Sequence, residues 1–266
     1  MRQHGHDHGP HHDDRTQTDH GAGDHREFLD LDAEVFGAQL GAALDLAGVP
    51  APRHVVDLGA GSGTGSRLLR ARHPGATLTC VDNDREMLHA LRQHGFATLE
   101  ADLDEGFPEL GAAAGPPDLV WAASSLHHVT RPAPLLAGVR SALAPGGTLV
   151  VVELAGLPRF LADSACAAVE ERCHAAAAAE GWNHHPDWTP VIEGAGFTVQ
   201  RTELSTPAPV TPAARRYARE WLTRFATLGA LTAADRAAVT DLLPLLAADL
   251  PLSPRADRTV WVATPR

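Results

Sequence analysis

The sequence predicts an α/β fold: a doubly wound, mostly parallel seven-stranded sheet with helices on both faces and a helical insertion before the last strand. Three observations carry this. Short apolar runs alternate with segments of helical period. The runs are nearly continuous in apolar residues, as expected of parallel strands covered on both faces. And the first run opens into a glycine-rich stretch, VVDLGAGSGTGS at 55–66, where such a sheet makes its first strand-to-helix turn.

The elements follow in order. Residues 1–26 hold seven of the sixteen histidines and almost nothing apolar. Such a segment cannot offset its ordering entropy, so it reads as a disordered His/Asp-rich tail, solvated and at most adventitiously metal-binding. Order is expected from residue 27 on. Asp32 reads as a helix N-cap, and Phe36, Leu40, Leu44 and Ala47 keep helical spacing until Gly48 and Pro50. Strands are expected at 54–58, 77–82, 96–102, 118–124 and 148–154. Helices are expected at 65–72, 84–93, 132–143 and, in an Ala-rich stretch, roughly 158–180. Two last strands at 197–204 and 259–264 flank a proline-fenced helical insertion or cap over 205–257. The 27–266 stretch thus reads as one Rossmann-like domain.

Bulk properties narrow the function. The formal charge is −11, and every one of the 22 basic residues is arginine. That surface argues against a nucleic-acid partner, which needs a positive footprint. Three cysteines, Cys80, Cys166 and Cys173, form no CxxC pair, which fits a reducing compartment. No apolar leader or membrane-length run is seen, so the expectation is a soluble cytoplasmic chain with no membrane partner. The oligomeric state is not legible.

Glycines at alternate positions (Gly59, Gly61, Gly63, Gly65) let a ligand approach the backbone closely. A dinucleotide fingerprint needs G-x-G-x-x-G, and its last position falls on Thr64 or Ser66, so an NAD(P)-dependent oxidoreductase is the weaker reading. A P-loop needs a lysine, and the chain has none.

VVDLGAGSGTG resembles the first motif, D-x-G-x-G-x-G, of class I S-adenosylmethionine (SAM)-dependent methyltransferases. CVDND (80–84), EADLDEGFP (100–108), PDLVWAASSLHHV (117–129) and LAPGGTLVVVE (143–153) resemble that family's later segments, in order. The resemblance implies methyl transfer from SAM to a nucleophilic atom of a small-molecule acceptor by in-line displacement. It also implies cofactor contacts. Asp82 would grip the ribose hydroxyls, since a carboxylate accepts two hydrogen bonds at once. Asn83 and Met87 would pack on adenine; Asp102 would accept from its amino group, and Leu103 would offer its backbone N–H and an apolar edge. Gly59, Gly61 and Gly63 would run under the methionine portion, with Asp57 accepting from the ammonium and Ala123 on the loop behind the fourth strand. A non-catalytic SAM- or metal-binding protein is the remaining alternative.

No catalytic residue is assigned from sequence. His127 and Glu153, behind the fourth and fifth strands, are candidates for the acceptor pocket. Glu153 has a rival reading as a partner of Arg159, and His174 joins as a third pocket candidate on EERCHAA. Cys166, Glu170 and Cys173 share a helical face, but small core residues explain them better than a metal does, so no metal site is assigned. WNHHPDW (182–188) reads as either an acceptor-pocket lining or a packed turn.

Overall fold

The computed structural model describes residues 22–111, 114–182, 186–247 and 250–266. The expected tail therefore lies outside the described residues up to position 21, but its last residues do not belong to a tail. Helix α1 spans Ala22–Ala47, so it starts well before the expected point, and Asp32 sits inside it, not at its cap. Packing extends the helix: the Phe28 ring lies 5.2 Å from both Tyr217 and Trp221, with the Arg224 guanidinium over its face. Buried aromatic contacts of this kind outweigh the weak local propensity of the segment.

The repeating units follow: β1 (His54–Leu58), α2 (Thr64–Arg72), β2 (Thr77–Asp82), α3 (Arg85–Gln93), β3 (Ala97–Glu100), β4 (Leu119–Ala123), α4 (Pro132–Ala142) and β5 (Thr148–Leu154). Then come β6 (Arg159–Leu161), α5 (Ser164–Ala179), α6 (Thr189–Gly194), β7 (Phe197–Pro207), α7 (Pro212–Ala226), α8 (Ala233–Leu242) and β8 (Leu252–Pro265). The sheet has eight strands, not seven, in the order β3-β2-β1-β4-β5-β8-β6, with β7 also paired to β8. The first five are parallel; β8 runs antiparallel to β5, β6 and β7. The strand order reverses between β1 and β4, which opens a crevice beyond their carboxyl ends.

The extra strand, β6, occupies residues expected to be helical. It forms because β8 is longer than its apolar run: Leu252 and Arg255 offer an edge to which Leu161 and Arg159 pair. The helix then waits until Asp163, whose carboxylate accepts from Ala165 N and Cys166 N. The insertion shrinks correspondingly, since β7 and β8 extend into both its ends.

Two apolar layers cover the sheet. One joins Val56, Leu58, Val120 and Val151 to α4 and α6, and includes buried Trp188. The other joins Val55, Trp121, Val150 and Val260 to Leu40 and Leu44 of α1. A third core unites the first turns of α1 with β6, α5, α7 and α8 around Tyr217, Leu222 and Phe225. This cap meets the sheet where Tyr217 of α7 donates to Asp32, the partner of Arg258 on β8. Among the described residues, no helix is long and apolar enough to cross a membrane.

Candidate active site

The turn after β1 is built by backbone bonds to β2. Gly59 N and Ala60 N both donate to Val81 O, at 2.9 and 3.0 Å. Gly59 has φ +67°, and a Cβ there would fall 2.4 Å from the Cβ of Ser125, so only glycine fits between the loop and the end of β4. Gly61 N donates to Asp82 Oδ2 at 2.8 Å, and Asp82 Oδ1 accepts from Asp84 N at 2.9 Å. Asp82 thus clasps the loop to the end of β2, with a further lone pair left on each oxygen. It is not the cap of α3: Asp84 fills that role, accepting from Glu86 N and Met87 N. Gly63 closes the loop as the N-cap of α2.

The structure gathers other expected residues at this end of the sheet. Asn83 is exposed at the bend after Asp82, and Met87 is buried on α3. Ala101 N donates to Asp82 O, which brings the exit of β3 alongside. There Asp102 is exposed and caps a single turn over Leu103–Glu105, while Leu103 packs half-buried against the core. Ala123 ends β4, half-buried and paired with Val152.

Asp57 differs from expectation. Its carboxylate does not line the crevice but is enclosed beneath α2, where it accepts from Ser66 Oγ at 2.5 Å beside Gly65. Burial, opposed by the Ser66 hydrogen bond and reinforced by the charge of Asp82, raises this acid to about 7. The Cys80 thiol beside it is pushed up to about 12 by the same burial.

Behind β4, Ser124 is the one non-glycine residue with positive φ among the described residues, at +52°. The next hydroxyl, Ser125 Oγ, is buried without a protein partner. A single turn, Leu126–His128, then delivers two backbone N–H groups to Glu153: Leu126 N at 2.9 Å and His127 N at 3.4 Å, both to Oε1. Glu153 Oε2 lies 2.7 Å from His127 Nδ1. Burial alone would lower the His127 imidazole; the hydrogen bond and charge of Glu153 outweigh it and hold it above its ordinary value. Glu153 does not pair with Arg159, which turns to Glu171 instead.

His174 stands apart from this pair. It is buried in the cap core, its ring 5.4 Å from Phe225, and burial followed by the charge of Arg159 pushes it down to about 4. Glu170 on the same helix is committed to the backbone, accepting from Phe160 N and Leu161 N, which fixes β6. Among the described residues no group of three or more His, Cys, Asp or Glu side chains could hold a metal. Of WNHHPDW, Trp188 packs in the core, Trp182 is exposed, and the histidines lie outside the described residues.

A second polar group has no counterpart in the sequence reading. Arg258 on β8 is buried, with Nη2 donating to Asp32 Oδ2 at 2.5 Å, Nε to Gln39 Oε1 at 3.1 Å and Nη1 to Ser124 Oγ at 3.5 Å. Tyr217 OH donates to the other oxygen of Asp32 at 3.1 Å. The only sequence signal is a charged residue two positions before a buried valine on a strand face, which is too weak to single out.

Residues 56–149 match the family described as a methyltransferase domain. That match takes in about a third of the chain, from β1 to the start of β5. Trans-aconitate 2-methyltransferase of Delftia acidovorans is 41% identical over 140 residues, covering 46% of this chain and 51% of that protein. Malonyl-(acyl-carrier protein) O-methyltransferase of Laribacter hongkongensis is 34% identical over 113 residues, covering 39% of this chain and 38% of that one. The chain thus spans about half the length, or less, of these curated relatives. Phosphoethanolamine N-methyltransferase 2 of Haemonchus contortus, solved with phosphomonomethylethanolamine and S-adenosylhomocysteine, shares the methyltransferase fold. Its TM-score is 0.54 at 18% identity over 95% of this chain and 59% of that one. The matched 56–149 segment holds the glycine loop, Asp82, Asp102 and the turn with His127; Glu153 and the cap lie beyond it.

Proposed function

We propose that this chain transfers the methyl group of SAM to a small-molecule acceptor bound between the glycine loop, the ends of β4 and β5, and the cap. The observation that carries the reading is the clasp of Gly61 by Asp82 at the point where strand order reverses. That clasp presents open backbone on one side and a carboxylate with unused lone pairs on the other. The residues fit the cofactor: glycine backbone at the loop, acid at the end of β2, and an unpartnered buried hydroxyl, Ser125 Oγ, facing Gly59.

When bound, SAM supplies a methyl group activated by its sulfonium. The protein's own task is to orient and to exclude water. Asp82 holds the sugar; Asn83, Met87, Asp102 and Leu103 surround the base; the loop backbone carries the amino-acid end. Asp57 supports that loop from below. His127, fixed through Nδ1 by Glu153, presents its other ring nitrogen on the acceptor side, where it can hold or accept a proton. His174 sits buried in the cap core, packed on Phe225. The net charge of −11 favours a small acceptor over a nucleic acid. Three free thiols fit a reducing, cytoplasmic setting.

The test is calorimetric titration with S-adenosylhomocysteine, followed by incubation with methyl-labelled SAM and trans-aconitate or a metabolite extract. Micromolar binding and a labelled product are expected. Tight binding of NADH, with none of S-adenosylhomocysteine, would overturn the reading.

A further inference from the structure

Arg258 alone among the described arginines is buried, at 1% exposure, and it lies at the carboxyl edge of the sheet. It pairs in register with Leu154, the last residue of β5, and touches Ser124 just past β4. That edge is where an open α/β sheet binds its ligands. The guanidinium is fixed from within: Gln39 accepts from Nε and is itself held by donating to Ala256 O at 2.6 Å.

Its counter-ion differs in kind. The Asp32 side chain is 20% exposed and reaches Arg258 from α1. The same turn of α1 lies on the cofactor loop. Leu29 would be 3.5 Å from a Cβ at Gly61, and Asp30 accepts from Ser62 Oγ at 2.9 Å. Residues 29–32 therefore reach from the glycine loop to Arg258 within β8, beside Ser124 at the end of β4. A ligand joining those two sides needs this turn to give way. Ser124, beside the guanidinium, carries the positive φ noted above; such strain concentrates at ligand clamps.

We propose that Arg258 anchors a carboxylate of the acceptor, and that Asp32 holds its place while no acceptor is bound. The assignment rests on the methyltransferase reading and narrows its acceptor to a carboxylic acid. A buried guanidinium cannot be left without a counter-ion, and one carboxylate replacing another keeps it paired throughout. The bidentate fork of arginine also suits that geometry. The competing source of a carboxylate is the amino-acid end of SAM itself.

The experiment is calorimetric titration of trans-aconitate and of malonate, with S-adenosylhomocysteine saturating, into wild type, D32N, R258Q and R258K. Removing the internal competitor should tighten at least one of the two acids about fivefold or more in D32N, since the competent state no longer has to displace Asp32. R258Q should lose at least about tenfold, with partial recovery in R258K. A pair that only braces α1 would give the opposite sign in D32N, and weaker binding there overturns the proposal. So does the absence of acid binding in both wild type and D32N. A loss in R258Q confined to S-adenosylhomocysteine assigns the site to the donor and overturns it too. If D32N unfolds, melting of D32A in acetate against chloride decides: acetate should raise its Tm by several degrees and leave R258Q unmoved, and no rise overturns the proposal. Failure of S-adenosylhomocysteine to bind even wild type sinks the methyltransferase reading itself, and this proposal with it.

Discussion

Replacing Asp57 by Asn isolates the most perturbed carboxyl beneath the cofactor loop. Asp57 is 2% exposed and titrates at about 7, while an unfolded aspartate titrates near 4. A folded-state value above the unfolded one means that the acid contributes stability below the unfolded value, and that this is lost as pH rises through the folded value. Between pH 5 and pH 8, those two values give a loss of roughly 2–3 kcal/mol from this one group. Asn keeps an acceptor for Ser66 Oγ and does not titrate, so D57N should lack that loss. Any fixed cost of the amide cancels in the difference between the two pH values. The assay is equilibrium urea unfolding of both proteins at pH 5 and pH 8. The wild type should lose about 2–3 kcal/mol more than D57N across the window, worth roughly 5–10 °C in Tm for a domain of this size. Parallel stability curves would refute the argument and place the carboxylate in contact with solvent or a cation.

Other expectations follow from the same contacts. G59A should be destabilised by about 2 kcal/mol or more in denaturant unfolding, because left-handed φ costs about 1–2 kcal/mol with a side chain and the new Cβ meets Ser125 Cβ at 2.4 Å. D82A should weaken S-adenosylhomocysteine at least about tenfold by calorimetry, since it frees Gly61 N and removes the proposed ribose acceptor; unchanged affinity would sink the site. In E153Q the His127 ring loses the partner that raises it, so burial should pull its titration, followed by NMR of the Cε1 proton, below the wild-type value. The wild-type pair stabilises most below the ordinary histidine range and fades as pH rises through the elevated folded value. E153Q should show a flatter profile there.

What was legible in the sequence was local. The strands at 54–58, 77–82 and 148–154 occupy the residues the apolar runs predict, because a buried parallel strand is written as a continuous run. Asp84 caps α3 through bonds that reach only two and three residues ahead, the range that helix-start signals cover. What was not legible depends on distant partners. β6 looks helical by composition and is a strand because the far end of β8 supplies its edge. Asp32 looks like a cap and is an ion-pair partner because Arg258, 226 positions away, lies opposite. His174 looks like a pocket residue from its neighbours in sequence, but α7 closes over it. The helix-start and strand rules weigh neighbours within a turn or two, so they had no access to these contacts.

The same divide separates the two halves of the crevice. The proposed donor side, the glycine loop and Asp82, lies within 56–149, the stretch that matches the methyltransferase-domain family. Its contacts span short separations, such as the 21 positions between Gly61 and Asp82. A cofactor common to many reactions needs one geometry, and one compact segment can carry it. The proposed acceptor side is assembled from α1, β8 and the cap, through contacts such as Gln39 to Ala256 and Tyr217 to Asp32, 217 and 185 positions apart. Apart from Leu29 and Asp30, which touch the glycine loop, changes in those elements can re-shape the proposed acceptor pocket without altering the loop. A swap confined to residues 31–47, which keeps Leu29 and Asp30 against the glycine loop, should therefore alter which acid is accepted while leaving S-adenosylhomocysteine affinity within a few fold. The assay is parallel titration of donor product and acids into the chimera. If the swap abolished donor binding while the fold was retained, α1 would belong to the cofactor site, and the division of the crevice drawn here would fail.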